Sequence, residues 1–107
     1  MKIISSDLLR GHIDTFVLSA LMQGKMYGNG IRRFIEEKTN GIYHPNEQSL
    51  YTAYHRLEDN GCVKGEWGEG DVQRKYYSIT QKGIDTYRYN VAEWETAKKL
   101  IDILIKD

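Results

Sequence analysis

The stretch Asn46-Glu47-Gln48-Ser49-Leu50-Tyr51-Thr52-Ala53-Tyr54-His55-Arg56-Leu57-Glu58-Asp59-Asn60-Gly61 holds a helix start, a helical period and a helix stop. Asn46 is a strong N-cap, Pro45 disfavours a helical conformation at His44, and Asn60-Gly61 supplies a left-handed stop. Between these marks Leu50, Ala53, Tyr54 and Leu57 recur at helical spacing, so one stripe is apolar, while Gln48, Ser49, Thr52, His55 and Arg56 fall largely on the other faces. The charges Glu47, Glu58 and Asp59 sit at the two ends and leave a polar, nearly uncharged middle. Side chains of that kind donate and accept at base edges in a major groove. A merely solvated helix face has the same composition, so the flanking segments decide between the two readings.

Upstream, Met1 to Ile4 reads as a loose or strand-like lead-in, followed by a helix with Ser5 or Ser6 as N-cap and Asp7 in its first turn. Leu9, Ile13, Phe16, Val17, Ala20 and Leu21 form its apolar stripe and Gly24 ends it. A second helix is predicted from about Tyr27 to Lys38, with Tyr27, Ile31, Phe34 and Ile35 inward and Arg32, Arg33, Glu36 and Glu37 outward, stopped by Asn40-Gly41. Gly28 and Gly30 weaken its start, but Gly-Asn-Gly lacks the preceding strand and third glycine of a phosphate-binding loop. Ile42 to His44 is predicted to pair as a small strand.

Downstream the period changes to alternation. Val63, Gly65 and Trp67, the turn Gly68-Glu69-Gly70-Asp71 and a second strand from Val72 to Thr80 predict a β-hairpin. Tyr77 and Ile79 fall on one face of it and Tyr76 and Ser78 on the other, so one tyrosine packs and one faces out. Thr80 then caps a last helix from Gln81 nearly to the end. Ile84, Tyr87, Val91, Trp94, Lys98, Ile101 and Ile105 alternate three and four apart, and Leu100 and Leu104 widen the stripe. That pattern is too long for one small core and predicts a dimerisation helix, in which Lys98 has no packing rationale; a lid folded onto its own domain is the alternative. The expected fold is mainly α with a β-hairpin wing (α+β): a winged helix-turn-helix over 1–80 and a dimerisation helix over 81–107, compact together.

A chain of 107 residues has room for one modest core. With 28% charged residues, no apolar run near the ~18 residues of a membrane span and no signal-peptide pattern, a cytoplasmic protein is expected. Cys62 has no second cysteine and reads as a small buried residue, with a redox-sensing thiol as the alternative. The formal net charge of zero argues against gripping nucleic acid by bulk electrostatics, so any basic patch must be local. Arg74, Lys75 and Lys82 cluster, whereas Glu93, Glu95 and Asp102 lie in the C-terminal segment. His12, His44 and His55 lack metal-ligand spacing with one another or with Cys62, and no nucleophile elbow, carboxylate pair or phosphate loop appears; neither catalysis nor a cofactor is expected.

LLRGHIDTFVLSAL, YGNGI, SLYTAYHRLEDNG and RKYYSITQKG together resemble the PadR (phenolic acid decarboxylase regulator) family of transcription factors, over almost the whole chain. The single short C-terminal helix is similar to that of the small subgroup, whose dimers are built from that helix and the first one. The resemblance implies a homodimeric repressor on a palindromic double-stranded operator, relieved by a small molecule. It places Trp94 where small members stack flat aromatic ligands, with Tyr87, Val91 and Asp102 as further lining candidates; plain interface core is the alternative for Trp94. The implied dimer contacts are Ile84, Tyr87, Val91, Trp94, Ile101, Leu104 and Ile105. On DNA, Gln48, Ser49 and Thr52 are assigned to base edges, and Tyr51, His55, Arg56, Arg74 and Lys75 to phosphates, with Tyr51 alternatively packed. The chain departs from the family in two places: only Arg74-Lys75 follow Asp71-Val72-Gln73 where longer basic runs are common, and Gly30 replaces a larger residue. A winged helix used for protein association, without an operator, remains the rival reading.

Overall fold

The capped stretch forms α4 (Glu47–Asp59) in the computed structural model, which describes residues 6–70 and 73–106. The Asn46 side chain accepts from the Ser49 N–H at 3.0 Å. At the other end Gly61 has φ +77° and Cys62 N–H donates to the Leu57 carbonyl at 2.9 Å, closing a Schellman motif. Leu50, Ala53, Tyr54 and Leu57 are 0–7% exposed and pack with Val17, Leu18, Ala20 and Leu21 and with Ile31 and Ile35. The second group belongs to α3 (Gly28–Lys38), which also ends on a left-handed residue, Asn40 at φ 52°.

The first helix is not continuous. It divides into α1 (Ser6–Leu9), a 3₁₀ turn (Arg10–His12) and α2 (Ile13–Leu21). Gly11 has a poor helix propensity, and a Cβ there would meet nothing within 4 Å, so the weak point of the turn lies at a residue with no side chain to pack. Gly24, at φ +141°, follows the end of α2. The expected lead-in Met1–Ile4, the Ser5 cap, Asp71 and Val72 lie outside the described residues, as do the side chains of Ser6 and Asp7.

Ile42 to His44 does not form the expected strand. Ile42 N–H donates to the Thr39 carbonyl at 3.0 Å and Tyr43 N–H to Thr39 Oγ1 at 3.3 Å, so these donors are engaged by a turn rather than by a neighbouring strand. The third strand is β1 (Met26–Tyr27), and the antiparallel sheet runs β1-β3-β2, with β2 spanning Val63–Trp67 and β3 Lys75–Ile79. β3 begins later than predicted, because the Gly68 N–H closes on the Arg74 carbonyl at 2.7 Å and the ladder stops at Trp67 opposite Lys75. Tyr77 is buried and Tyr76 half-exposed, as the alternation requires.

The last element, α5 (Gln81–Ile105), starts on Thr80, whose Oγ1 accepts from the Gly83 N–H at 3.1 Å. Its first turn rides directly on the backbone of Cys62, itself buried at 3% exposure. Ile84 and Tyr87 are half-buried against their own domain, but from Lys98 to Lys106 every residue is exposed, so the helix is not a lid along its whole length. At 1.5 Å per residue α5 is about 37 Å long, and the molecule reaches 57 Å in its longest dimension.

A Cβ at Gly83 would lie 2.1 Å from the Cys62 carbonyl oxygen and 2.7 Å from Ile79 Cγ1. Gly83→Ala therefore forces α5 off the sheet and is expected to cost about 3 kcal/mol in urea unfolding; an unchanged midpoint would contradict the close approach. Tyr54 donates its hydroxyl to the Gly28 carbonyl at 3.0 Å, and burial, reinforced by Tyr77, holds its phenol well above the usual value. The folded chain thus keeps a proton that the unfolded chain releases above about pH 10, so stability falls as pH rises through that value. Lys75, raised by its hydrogen bond to Glu58, acts in the same direction. Tyr54→Phe should lose about 1 kcal/mol at pH 7 and decline less steeply than wild type between about pH 9.5 and 11, measured by urea melts; parallel declines would exclude Tyr54 as a source.

Candidate nucleic-acid interface

Because the apolar stripe of α4 is buried, its opposite surface is held out to solvent. Gln48, Ser49, Tyr51, Thr52 and His55 are all exposed. Tyr51 is 57% exposed, which decides against its packing into the core, and its ring stands edge-on to His55 with centroids 4.4 Å apart. Gln48, Ser49 and Thr52 line a polar cleft of about 690 Å³ together with Arg10, His44 and Arg56. Sequence reasoning had not brought Arg10 or His44 to this place; the 3₁₀ turn carries one and the loop before α4 the other.

The cations assigned to phosphates from sequence divide into two kinds. Arg56 makes a two-point contact with the Asp14 carboxylate of α2, Nε to Oδ2 at 2.9 Å and Nη2 to Oδ1. Lys75 Nζ lies 2.8 Å from Glu58 Oε1, tying β3 to α4. Gly65 makes room for that second pair, since a Cβ there would come within 2.4 Å of the Lys75 side chain. Lys82 donates to the Asn60 carbonyl at 2.5 Å, where it also favours the negative end of the α4 dipole. Arg74 is different: its guanidinium carbon sits 4.7 Å from the centroid of the Tyr27 ring. Local charge in the sequence therefore overstated what Arg56 and Lys75 have free for a ligand.

On the far side of α2, Trp94 is 42% exposed and meets the His12 ring edge-on at 5.1 Å. A cavity of about 220 Å³ is lined by Trp94, Val91, Leu8, His12, Phe16 and Asn90, among others. Asn90 Nδ2 donates to Thr15 Oγ1 at 3.0 Å and holds α5 to α2 here. Of the four lining candidates read from sequence, Trp94 and Val91 reach this cavity, whereas Tyr87 packs against the core and Asp102 pairs with Lys106 at 3.3 Å. Lys98, unexplained by the apolar seam, pairs with Glu95 at 3.2 Å. A second, apolar groove of about 390 Å³ opens between α2 and α3, lined by Leu9, Phe16, Phe34, Ile42 and Tyr43 among others.

Three packed helices, an exposed polar face on the third long one and a hairpin beside it define a winged helix-turn-helix protein. The profile of the transcriptional regulator PadR-like family matches residues 17–88. A solved transcriptional regulator from Clostridium thermocellum is 44% identical, with a TM-score of 0.90 over 97% of this chain and 100% of that one. A PadR family transcriptional regulator from Eggerthella lenta is 28% identical, with a TM-score of 0.84 over 94% of this chain and 87% of that one. An uncharacterised protein of Lysinibacillus sphaericus is 31% identical over 96% of each chain. The chain belongs to the PadR-like family of transcriptional regulators.

Proposed function

We propose that this protein is a cytoplasmic homodimeric repressor that reads a palindromic operator with α4 and releases it when a small, flat aromatic ligand binds between the protomers. The exposed Gln48-Ser49-Thr52 face, fixed in register by the Asn46 cap, carries the operator reading. These side chains lie in the first two turns of α4, the end of a recognition helix that meets base edges, and a two-fold dimer would set the two helices roughly 34 Å apart for half-sites one turn from each other. Among the described residues no helix is long and apolar enough to cross a membrane.

The end of α5 supports the dimer. Ile101, Leu104 and Ile105 are 45–80% exposed, with Val91 and Trp94 further back on the same stripe. Isolated exposed apolar residues are ordinary, but a helical run of them is costly to leave in water and marks a contact surface. The apolar groove at Phe16, Phe34 and Tyr43 offers a second surface of the same character. A ligand seated at Trp94 lies where α5 meets α2, so it would bias the angle between protomers, and hence operator affinity, by as much as its affinity differs between the two arrangements.

Fluorescence anisotropy on DNA from the chain's own upstream region, with an unrelated duplex as control, tests the reading. Tight, selective binding with two protomers per duplex is expected, and Gln48→Ala with Thr52→Ala should reduce selectivity about tenfold or more, the effect of removing one bidentate amide pairing and one hydroxyl contact, while leaving the dimer intact in sedimentation. Equal binding to both duplexes, or to neither, would point instead to protein association through the wing or α4. For the ligand, planar aromatic probes should quench Trp94 and weaken operator binding, and Trp94→Ala should reduce their affinity about tenfold or more; unchanged affinity would remove Trp94 from the site.

A further inference from the structure

Three exposed cations, Lys25, Arg33 and Arg74, gather around one pair of tyrosine rings. Tyr27 of β1 and Tyr76 of β3 face each other across the ladder, their rings edge to face with centroids 5.7 Å apart. Arg74 lies over the Tyr27 ring at 4.7 Å and Arg33 at 5.8 Å, with Arg33 also donating to the Tyr27 hydroxyl. The Lys25 ammonium is 5.8 Å from the centroid of the Tyr76 ring. All three cations are exposed, and among the described residues no carboxylate stands within ion-pairing distance of any of them. An aromatic face orients a cation but cancels none of its net charge. The two rings therefore hold three full positive charges in one patch of a chain whose total charge is zero.

The elements that carry the patch belong to the recognition unit. Arg74 leads into β3 of the wing, Lys25 and Tyr27 lie in and before β1, and Arg33 lies on α3, the helix that precedes α4 in the helix-turn-helix. The Tyr54 hydroxyl bonded to the Gly28 carbonyl joins that helix to α4. In such motifs the helix before the recognition helix crosses the sugar-phosphate backbone. We infer that the phosphate grip of this protein lies on Lys25, Arg33 and Arg74 around Tyr27 and Tyr76, whereas Arg56 and Lys75, held by Asp14 and Glu58, position α4 and the wing within the fold. The inference rests on the operator reading above and names the backbone contacts that reading lacks.

Counterion release separates the two sets of cations. Each phosphate neutralised adds about 0.9 to the slope of log affinity against log salt. Lys25→Gln with Arg33→Gln and Arg74→Gln should flatten the wild-type slope by about 0.9 for each phosphate no longer neutralised and weaken upstream and unrelated duplexes alike, by roughly tenfold or more at low salt. Arg56→Gln with Lys75→Gln should keep the wild-type slope. Arg74→Gln alone, which removes only a ring contact ahead of β3, gives the same readout at smaller amplitude should the triple variant fail to fold. A wild-type slope in the Lys25, Arg33 and Arg74 variants, or a flattened slope in the Arg56 and Lys75 variant, would overturn the assignment. Wild-type binding with an unmoved slope rejects the patch alone; no binding of wild type to either duplex at low salt rejects the operator reading and the patch with it.

Discussion

Burial of one stripe of α4 organises the molecule. Leu50, Ala53, Tyr54 and Leu57 lie almost wholly out of water against α2 and α3, and each large apolar side chain so placed contributes about 1.5–3 kcal/mol. A helix with one face committed in this way has its opposite face set by geometry alone. Gln48, Ser49 and Thr52 are presented because their neighbours are buried, and the Asn46 cap and the Gly61 stop keep that register from slipping by a residue. Tyr54 joins three elements: its ring packs on Tyr77 of the sheet while its hydroxyl reaches the Gly28 backbone, so β3, α3 and α4 share one residue.

Ion pairs then fasten the edges of that unit. Arg56 to Asp14 ties α4 to α2, and Lys75 to Glu58 ties β3 to α4. Partly exposed pairs of this sort add only about 0.2–1 kcal/mol each. Their larger effect is on the surface potential, since each withdraws a cation that the linear sequence displays as available. The three cations around the Tyr27 and Tyr76 rings share no sequence segment. Lys25, Arg33 and Arg74 come from three separate elements or their flanks and meet because β1 pairs with β3.

α5 divides its length between two tasks. Its first turns are locked to the sheet by Thr80 and by the absence of a side chain at Gly83, and its middle is held to α2 by Asn90 on Thr15. From Lys98 to Lys106 it is exposed, and Leu100, Ile101, Ile103, Leu104 and Ile105 there are apolar side chains left in water. The Trp94 cavity lies at the boundary between these two regimes, where the helix leaves its own domain.

The helices, the caps of α4 and α5, the hairpin and the buried stripe were legible in the sequence because each depends on residues within a few positions: a side-chain oxygen and an N–H three residues on, a glycine or asparagine at positive φ, a period of 3.6 or 2. The break at Gly11 and the shortened β3 were not, since propensity leaves open whether packing will hold a weak turn or a ladder will continue past a loop. Nor was β1, two residues long and without an alternation to detect. At the candidate interface the residue types were readable and the states of the charges were not: Asp14 and Arg56 lie 42 positions apart, and the rings of Tyr27 and Tyr76 meet only once β1 pairs with β3. The sequence by itself determined which face of α4 is polar, because that is a local pattern. Only the tertiary structure decided which cations remain unpaired around it, because pairing depends on distances that chain order does not set.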